Sequence, residues 1–317
     1  MSSSSFLPIE ADFATLLKEK FKSATESGSL KFTQSTEADE VEDEVFTFQV
    51  RIAPSLGQKS SLQQQQQPSV LSPKFDPFEN PEPALFLTEI GTNHSLVLNK
   101  FSIVPYHFLA ITKKFESQSS PLSEHDLTVT WSLLQAKLKG QANSRLLAFY
   151  NCGSLSGASQ DHKHIQFIPV SKDIQLIPDF VLEDFEAPRS RDALGIAPIS
   201  HPGLPFAHFI LPVPKNPTID DLILRFSALF SRTLTVLREH DQSNKSYNFA
   251  MTSKWMFMAP RSKEEFEGVS VNSTGLVGLL LAKSQYQAEL IKTVTPLHIL
   301  GSVGLPVLDK TEQQHDY

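Results

Sequence analysis

The chain holds a single cysteine, Cys152, among its 317 residues. That excludes an internal disulfide and any zinc site built on several cysteines, and it fits a reducing compartment. No window of about 18 residues is apolar throughout, so no membrane-spanning helix is expected. The opening MSSSSFLPIEADF has no basic segment followed by an apolar run, so no secretory signal is expected. The expected location is the cytoplasm, with the nucleus as a second compartment. Positive charge is also short. Lys and Arg number 28 against 35 Asp and Glu, a net charge of -7. Nucleic-acid binding relies on basic surface, so neither nucleic acid nor membrane is an expected partner. A local cluster of donors can still hold a polyphosphate.

What is present is ordinary for a soluble globular protein: 40% hydrophobic residues and a mean hydropathy of -0.17. The length suits one large domain or two smaller ones. The expected division is an N-terminal part over 1–185 and a C-terminal part over 186–317. Phe13, Leu16, Leu17 and Phe21 recur at helical spacing over 11–26. The acidic run from Glu37 to Glu44 reads as a solvated loop, and Val45 to Ala53 as a strand. Five consecutive glutamines and many prolines over 57–83 read as a long mobile connection. HSLVLNKFSIVPYHFLAITK reads as two strands. Ser123 and Asp126 predict a capping box for a helix reaching about Lys139, with Leu127, Trp131, Leu134 and Leu138 inward. RLLAFYN and HKHIQFIPV are the next strands, Pro169 ending the second. Beyond the acidic stretch LEDFEAPRSRDALG come a strand in LPFAHFILPV, a long helix capped by Thr218 and Asp221, and two strands in SYNFAMTSKWMFMAPRS. NSTGLVGLLLAKSQYQAELIK reads as a turn followed by a helix. The pattern is α+β: an antiparallel sheet with packed helices and an extended C-terminal part.

The densest chemistry lies in GASQDHKHIQF. Alternation along a strand puts His162, His164, Gln166 and Ile168 on one face, and Lys163, Ile165 and Phe167 on the other. The preceding NCGSLSGASQD is a Gly/Ser loop whose backbone N–H groups suit an anion. Three readings of the histidine pair follow. Strand histidines are often only structural. As a zinc site the pair needs a third ligand, and Gln166 is a poor one. As a nucleophile, a neutral imidazole can attack phosphorus and form a labile N–P bond. That requires its other nitrogen to be held by an acceptor, and donors for the phosphate oxygens.

Loop, His-x-His-x-Gln and apolar strand together resemble the histidine-triad superfamily, in the branch where glutamine replaces the third histidine. LVLNKFSIVPYHFLAIT is similar to the nucleotide-binding strand pair of that superfamily. YNCGSLSGASQDHKHIQ, NFAMTSKWMFMAPRS and NSTGLVGLLLAK resemble the fungal diadenosine tetraphosphate phosphorylases, also called ATP adenylyltransferases, and the likeness runs from about residue 6 to 305. The resemblance implies a histidine-triad-like fold and a two-step nucleotidyl transfer: an adenylyl-histidine forms with release of ATP, then phosphate takes the adenylyl group to give ADP. It also implies reversibility and action on adenylyl sulfate. The implied partners are small nucleotides (diadenosine tetraphosphate, ATP, ADP) and phosphate.

Carried over residue by residue, His164 matches the nucleophile, His162 an orienting histidine, and Gln166 the amide that binds phosphate. Asn151, Gly157, Ala158, Ser159 and Gln160 match the strand end and phosphate loop, and Asn99 and Lys100 the sugar and base side. Lys59, Asn272, Ser273, Thr274, Leu279 and Lys283 complete the substrate-binding set. Leu279 departs from the methionine frequent in the family but keeps an apolar wall. Asn272 and Ser273 also read as a helix N-cap. No tightly bound cofactor and no metal site are implied; a divalent cation such as Mg²⁺ travels with polyphosphates. The alternatives are a hexose-1-phosphate uridylyltransferase, which usually has proline where Lys163 stands and extra Cys/His ligands, and a nucleotide sensor without turnover.

Overall fold

The computed structural model describes residues 6–9, 12–36, 38–54, 75–136, 143–184 and 195–307. In chain order the elements are α1 (Phe13–Glu26), β1 (Asp39–Asp43), β2 (Phe46–Ile52), β3 (Phe86–Ile90), β4 (His94–Leu98), β5 (Phe108–Thr112), α2 (Glu124–Leu134), β6 (Ser144–Cys152), β7 (His164–Ser171) and α3 (Ile177–Asp184). There follow β8 (Phe209–Pro212), α4 (Ile219–Glu239), β9 (Tyr247–Met251), β10 (Trp255–Pro260), β11 (Glu265–Phe266), β12 (Val269–Ser270), α5 (Ser273–Leu276), β13 (Leu279–Ala282), α6 (Gln285–Val294) and α7 (Pro296–Val303).

Eight strands form one antiparallel sheet in the order β3-β4-β5-β7-β6-β9-β10-β8. Strands from before residue 185 and after it meet at the β6–β9 pair, where Asn151 lies opposite Asn248. Strand alternation divides the core. Ile165, Phe167, Ala148, Tyr150, Phe249 and Met258 pack with α1, α2 and α4 on one face. Leu147, Phe149, Ile168, Ala250 and Phe257 pack on the other against β2, α3, α5 and the C-terminal helices. Each fully buried Leu, Ile or Phe contributes roughly 1.5–3 kcal/mol, so both layers contribute to holding the sheet between them. On α1 the buried positions Phe13, Leu17, Phe21 and Ala24 make one stripe. The predicted capping boxes form at Ser123/Asp126 and Thr218/Asp221.

The structure corrects four expectations. The acidic run is not a loop: Asp39–Asp43 is the edge strand of a small sheet, β1-β2-β13. Edge position lets its carboxylates stay in water, which is how a charged strand is tolerated. Leu279–Ala282 is a strand, not part of a helix, and pairs parallel with β2. Helix α2 stops at Leu134, short of Lys139; Leu138 lies outside the described residues, as does Glu37. Pro169 does not end β7, which runs to Ser171. Its β5 neighbour pairs only as far as Phe167, so a residue without N–H costs nothing on that side. The predicted mobile connection falls largely on 55–74, outside the described residues.

Behind the histidine strand lies a buried charge cluster. Lys163 Nζ reaches Asp126 Oδ2 at 3.0 Å and Glu116 Oε2 at 2.8 Å, and Asp126 Oδ1 meets His94 Nε2 at 2.8 Å. Burial works against the Asp126 carboxylate, but the His94 bond, the Lys163 charge and the Ser123 N–H hold it well below the ordinary range. Burial likewise pulls Lys163 down, and the two carboxylates more than offset it, so the ammonium is held above its usual value. A carboxylate depressed below its unfolded value of about 3.9 stabilises the fold above that pH and loses the contribution as pH falls further. Asp126→Asn leaves Lys163 without its buried partner and is predicted to cost about 3–5 kcal/mol at neutral pH. Urea unfolding checks it: the variant should also lose much of the wild-type acid destabilisation, and an unchanged unfolding free energy would contradict the role given to this cluster.

Candidate active site

β7 carries His164 and Gln166 on the face away from Lys163. His164 is 3% exposed. Its Nδ1 lies 2.8 Å from the backbone carbonyl of His162. A carbonyl only accepts, so Nδ1 carries the proton and Nε2 the lone pair of the neutral ring. His162 does not chelate alongside it. Its Nδ1 faces Asp76 Oδ2 at 2.7 Å, and its Nε2 faces the Thr112 carbonyl at 2.8 Å and hydroxyl at 3.0 Å. Phe78 contacts both imidazoles, with centroids 5.9 and 5.3 Å away. Among the described residues, no group of three His, Cys, Asp or Glu side chains is gathered as a metal would require.

Gln166 is oriented by a relay. Asn99 Oδ1 accepts the Phe101 N–H, so Nδ2 faces His107, 3.1 Å from Nδ1. His107 Nε2 donates to Gln166 Oε1 at 3.1 Å. The oxygen end of the Gln166 carboxamide is thereby occupied, and its NH₂ is the end left to meet an anion. Asn99 therefore acts here through His107 as well as standing at the turn.

A second cluster joins the two halves of the chain. Asn151 Oδ1 accepts from Asn248 Nδ2 at 2.8 Å, Ser273 N at 3.0 Å and Ser273 Oγ at 2.7 Å. Asn248 Nδ2 also donates to the Ser156 carbonyl at 2.9 Å, fixing the start of the Gly/Ser loop. Gly157 then turns with φ 80°, and a Cβ there would lie 3.1 Å from Asn272 Cβ and 3.2 Å from the Val271 carbonyl. Only glycine allows that approach without strain. The loop of Gly157, Ala158, Ser159 and Gln160, partly open to solvent, is thus set against the start of α5. Asn272 is the N-cap of that short helix: its Oδ1 accepts from the Thr274 N–H and hydroxyl and from the Gly275 N–H. Behind the cluster, the fully buried Arg261 donates to Asn248 Oδ1 and to the carbonyls of Val271, Lys263, Glu264 and Val303. Burial draws its pKa down to about 9, still leaving it charged at neutral pH.

Other predicted residues stand further out. Lys100 pairs with Glu82 at the surface. Leu279 is half-buried at the rim of the core layer that includes Phe149, the cross-strand neighbour of Gln166. Lys283 Nζ reaches Ser270 Oγ at 3.1 Å. Lys59 lies outside the described residues. A separate apolar depression lined by Leu7, Ile9, Phe13, Ile90 and Leu96 shares no residue with this site.

Comparison with known proteins decides the family. The model of the Ap4A phosphorylase N-terminal domain matches residues 5–181, and that of the ATP adenylyltransferase C-terminal domain matches 202–306. The chain belongs to the Ap4A phosphorylase family. Similar curated proteins, both from Saccharomyces cerevisiae, are Protein APA1, 32% identical over 88% of this chain and 89% of that protein, and diadenosine 5',5'''-P1,P4-tetraphosphate phosphorylase 2, 33% identical over 89% and 90%. Among solved structures, yeast Ap4A phosphorylase Apa2 in complex with AMP is 30% identical with a TM-score of 0.80, covering 96% of this chain and 99% of that one. The same protein in complex with Ap4A is 29% identical with a TM-score of 0.79, covering 95% and 100%. The family assigns this Ap4A phosphorylase relative to the nucleotidyltransferases, as an enzyme.

Sequence reasoning missed Asp76, Gln118, Asn248 and Arg261. Asn248 and Arg261 left a signal: polar residues within or just after strongly apolar strands, buried completely and so in need of partners. Gln118 left none. In this Ap4A phosphorylase relative, Arg261→Met takes the guanidinium donors from the Asn248 oxygen and from the carbonyls of Val271 and Lys263, while those of Glu264 and Val303 keep the N–H groups of Val271 and Ser262. The predicted cost is about 3 kcal/mol or more, read from denaturant unfolding. Arg261→Lys, which keeps the charge without the fork, should recover only part of it. Wild-type stability in both would remove Arg261 as the anchor of the Asn151 cluster.

Proposed function

We propose that the enzyme cleaves diadenosine tetraphosphate by phosphorolysis, through an adenylyl group carried on His164. The observation that carries this reading is the Nδ1–H bond to the His162 carbonyl. It puts the lone pair of the neutral ring on Nε2 and stays in place when that nitrogen becomes bonded to phosphorus. Nε2 attacks an α-phosphorus; the bond to the bridging oxygen breaks, and ATP leaves. The ring becomes an adenylyl-imidazolium whose charge rests on Nδ1–H, stabilised by the carbonyl it already touches. An oxygen of inorganic phosphate then attacks the same phosphorus from the face opposite the N–P bond. The N–P electrons return to Nε2, and ADP leaves.

Gln166 supports the second half. A carboxamide donates to phosphoryl oxygens but neither gives nor takes a proton at neutral pH. Water therefore finds no general base at that position, while phosphate, itself an anionic nucleophile, needs none. The Gly/Ser loop supplies backbone donors for the polyphosphate, held at its start by Asn248. Because both steps exchange one phosphate link for another of similar energy, the reaction runs in reverse, and adenylyl sulfate, with the same adenylyl group on a good leaving group, is a further substrate. The site needs no resident metal; Mg²⁺ enters with the polyphosphate.

Product analysis tests the assignment. With diadenosine tetraphosphate and inorganic phosphate, ATP and ADP should appear in equal amounts. Without phosphate, turnover should stall after one ATP per active site. Steady release of AMP or of two ADP would contradict it.

A further inference from the structure

The ladder between β6 and β7 ends just short of the nucleophile. Its last pair is Phe149 with Gln166. Two residues further along that register, Asn151 would face His164, but the strands part there. β7 stays with β5, where Ile111 pairs with His164. β6 stays with β9, where Asn151 pairs with Asn248. In the fork sits the side chain of Gln118, 3% exposed. Its Oε1 accepts the His164 N–H at 2.8 Å, and its Nε2 donates to the Asn151 carbonyl at 2.8 Å and lies 3.4 Å from the His164 carbonyl. These are the groups that the missing strand pair would have used, so the carboxamide stands in for a peptide unit. The other amide orientation would set donor against donor, so the assignment is fixed by the contacts themselves.

The wedge is itself anchored. Gln118 N donates to the Asp161 carbonyl at 2.7 Å, and its own carbonyl accepts from Gly153 N at 3.3 Å and the Tyr150 hydroxyl at 2.9 Å. Lys163 N donates to the Glu116 carbonyl at 2.8 Å, holding the loop against β7. Gln118 thus spans the strand end that bears the nucleophile and the one that bears Asn151 and leads into the Gly/Ser loop.

We infer that Gln118 is a positioning residue: it sets the width of the fork between His164 and Asn151, and so the approach of the attacking nitrogen to phosphorus. The inference rests on the reading of His164 as nucleophile. Gln118 does not touch the reacting atoms on this account. Its effect falls on the rate of adenylyl transfer and not on the binding of nucleotide, because misplacing a nucleophile by about 1 Å costs on the order of 100-fold.

The test compares single-turnover adenylylation from labelled diadenosine tetraphosphate in wild type, Gln118→Leu, Gln118→Glu and His164→Ala, with active sites counted by the label each retains. Gln118→Leu should lower the rate constant per active site by about 10- to 100-fold while KM moves less than about 3-fold. A merely structural role would reduce the number of active sites and leave the rate constant of each alone. Gln118→Glu keeps an acceptor for His164 but turns an oxygen on the Asn151 carbonyl. Protonated, its carboxyl donates again, and burial favours that form. Its rate relative to wild type should therefore rise as pH falls from about 8 to about 6, with no such rise for Gln118→Leu. A wild-type rate constant in a folded Gln118→Leu overturns the inference. If that variant does not fold, a flat pH ratio for Gln118→Glu overturns it. Label retained by His164→Ala would instead sink the nucleophile assignment.

Discussion

The site depends on one hydrogen bond between residues two apart: His164 Nδ1–H to the carbonyl of His162. It needs a backbone that has just left regular pairing. His162 makes only a single bridge, to Ser117, and β7 proper begins at His164. A carbonyl engaged in a full ladder would be turned toward a neighbouring strand. At the frayed start of β7 it is turned instead to the ring that follows. The same fraying parts β6 from β7 and makes the fork that Gln118 fills between the His164 and Asn151 backbones. The ring tautomer and the fork therefore come from one local feature of the chain.

Such a fray at the centre of an eight-stranded sheet would be costly if nothing replaced the lost pairing. The replacements are side chains. Gln118 takes the backbone groups on the side of the site. On the reverse face, Lys163 is held by Asp126 and Glu116, and Asp126 is at once the third-residue partner of Ser123 in the capping box of α2 and the partner of His94. The strand that carries the nucleophile is thus fastened from behind by charge and from the side by an amide. Arg261 does the corresponding task for the second half of the chain, holding Asn248 and through it Asn151 and the loop. Gln118, Lys163 and Arg261 thus supply fixed, fully bonded dipoles around the fork, as a reaction that tolerates little reorganisation requires.

Much of this was legible in the sequence. Alternation placed Lys163 and His164 on opposite faces, and the capping boxes at Ser123 and Thr218 marked two helix starts correctly. The acidic strand Asp39–Asp43 was missed because charge masked a pairing that β2 imposes from outside. Leu279–Ala282 was missed because a short apolar run fits a strand or a helix equally well, and only the parallel partner β2 decides between them. Asn272 was readable as an N-cap from its neighbours alone. Gln118 was not readable at all: it lies in a polar loop whose sequence, SQSSPLS, has no period, and its role arises from a fork between β6 and β7, both well removed from it in the chain. Contacts made by local pattern were visible; those made by topology were not.

The central claim is that the His164 ring nitrogen Nε2 becomes bonded to phosphorus. The most direct measurement is to quench the enzyme during turnover without phosphate, digest it under mildly alkaline conditions that preserve an N–P bond, and map the adenylyl group by fragmentation. The account predicts an acid-labile adenylate on the peptide containing residues 162–166, localised to His164. An adenylate on His162 or on any other residue, or no adduct while ATP is released, would contradict it.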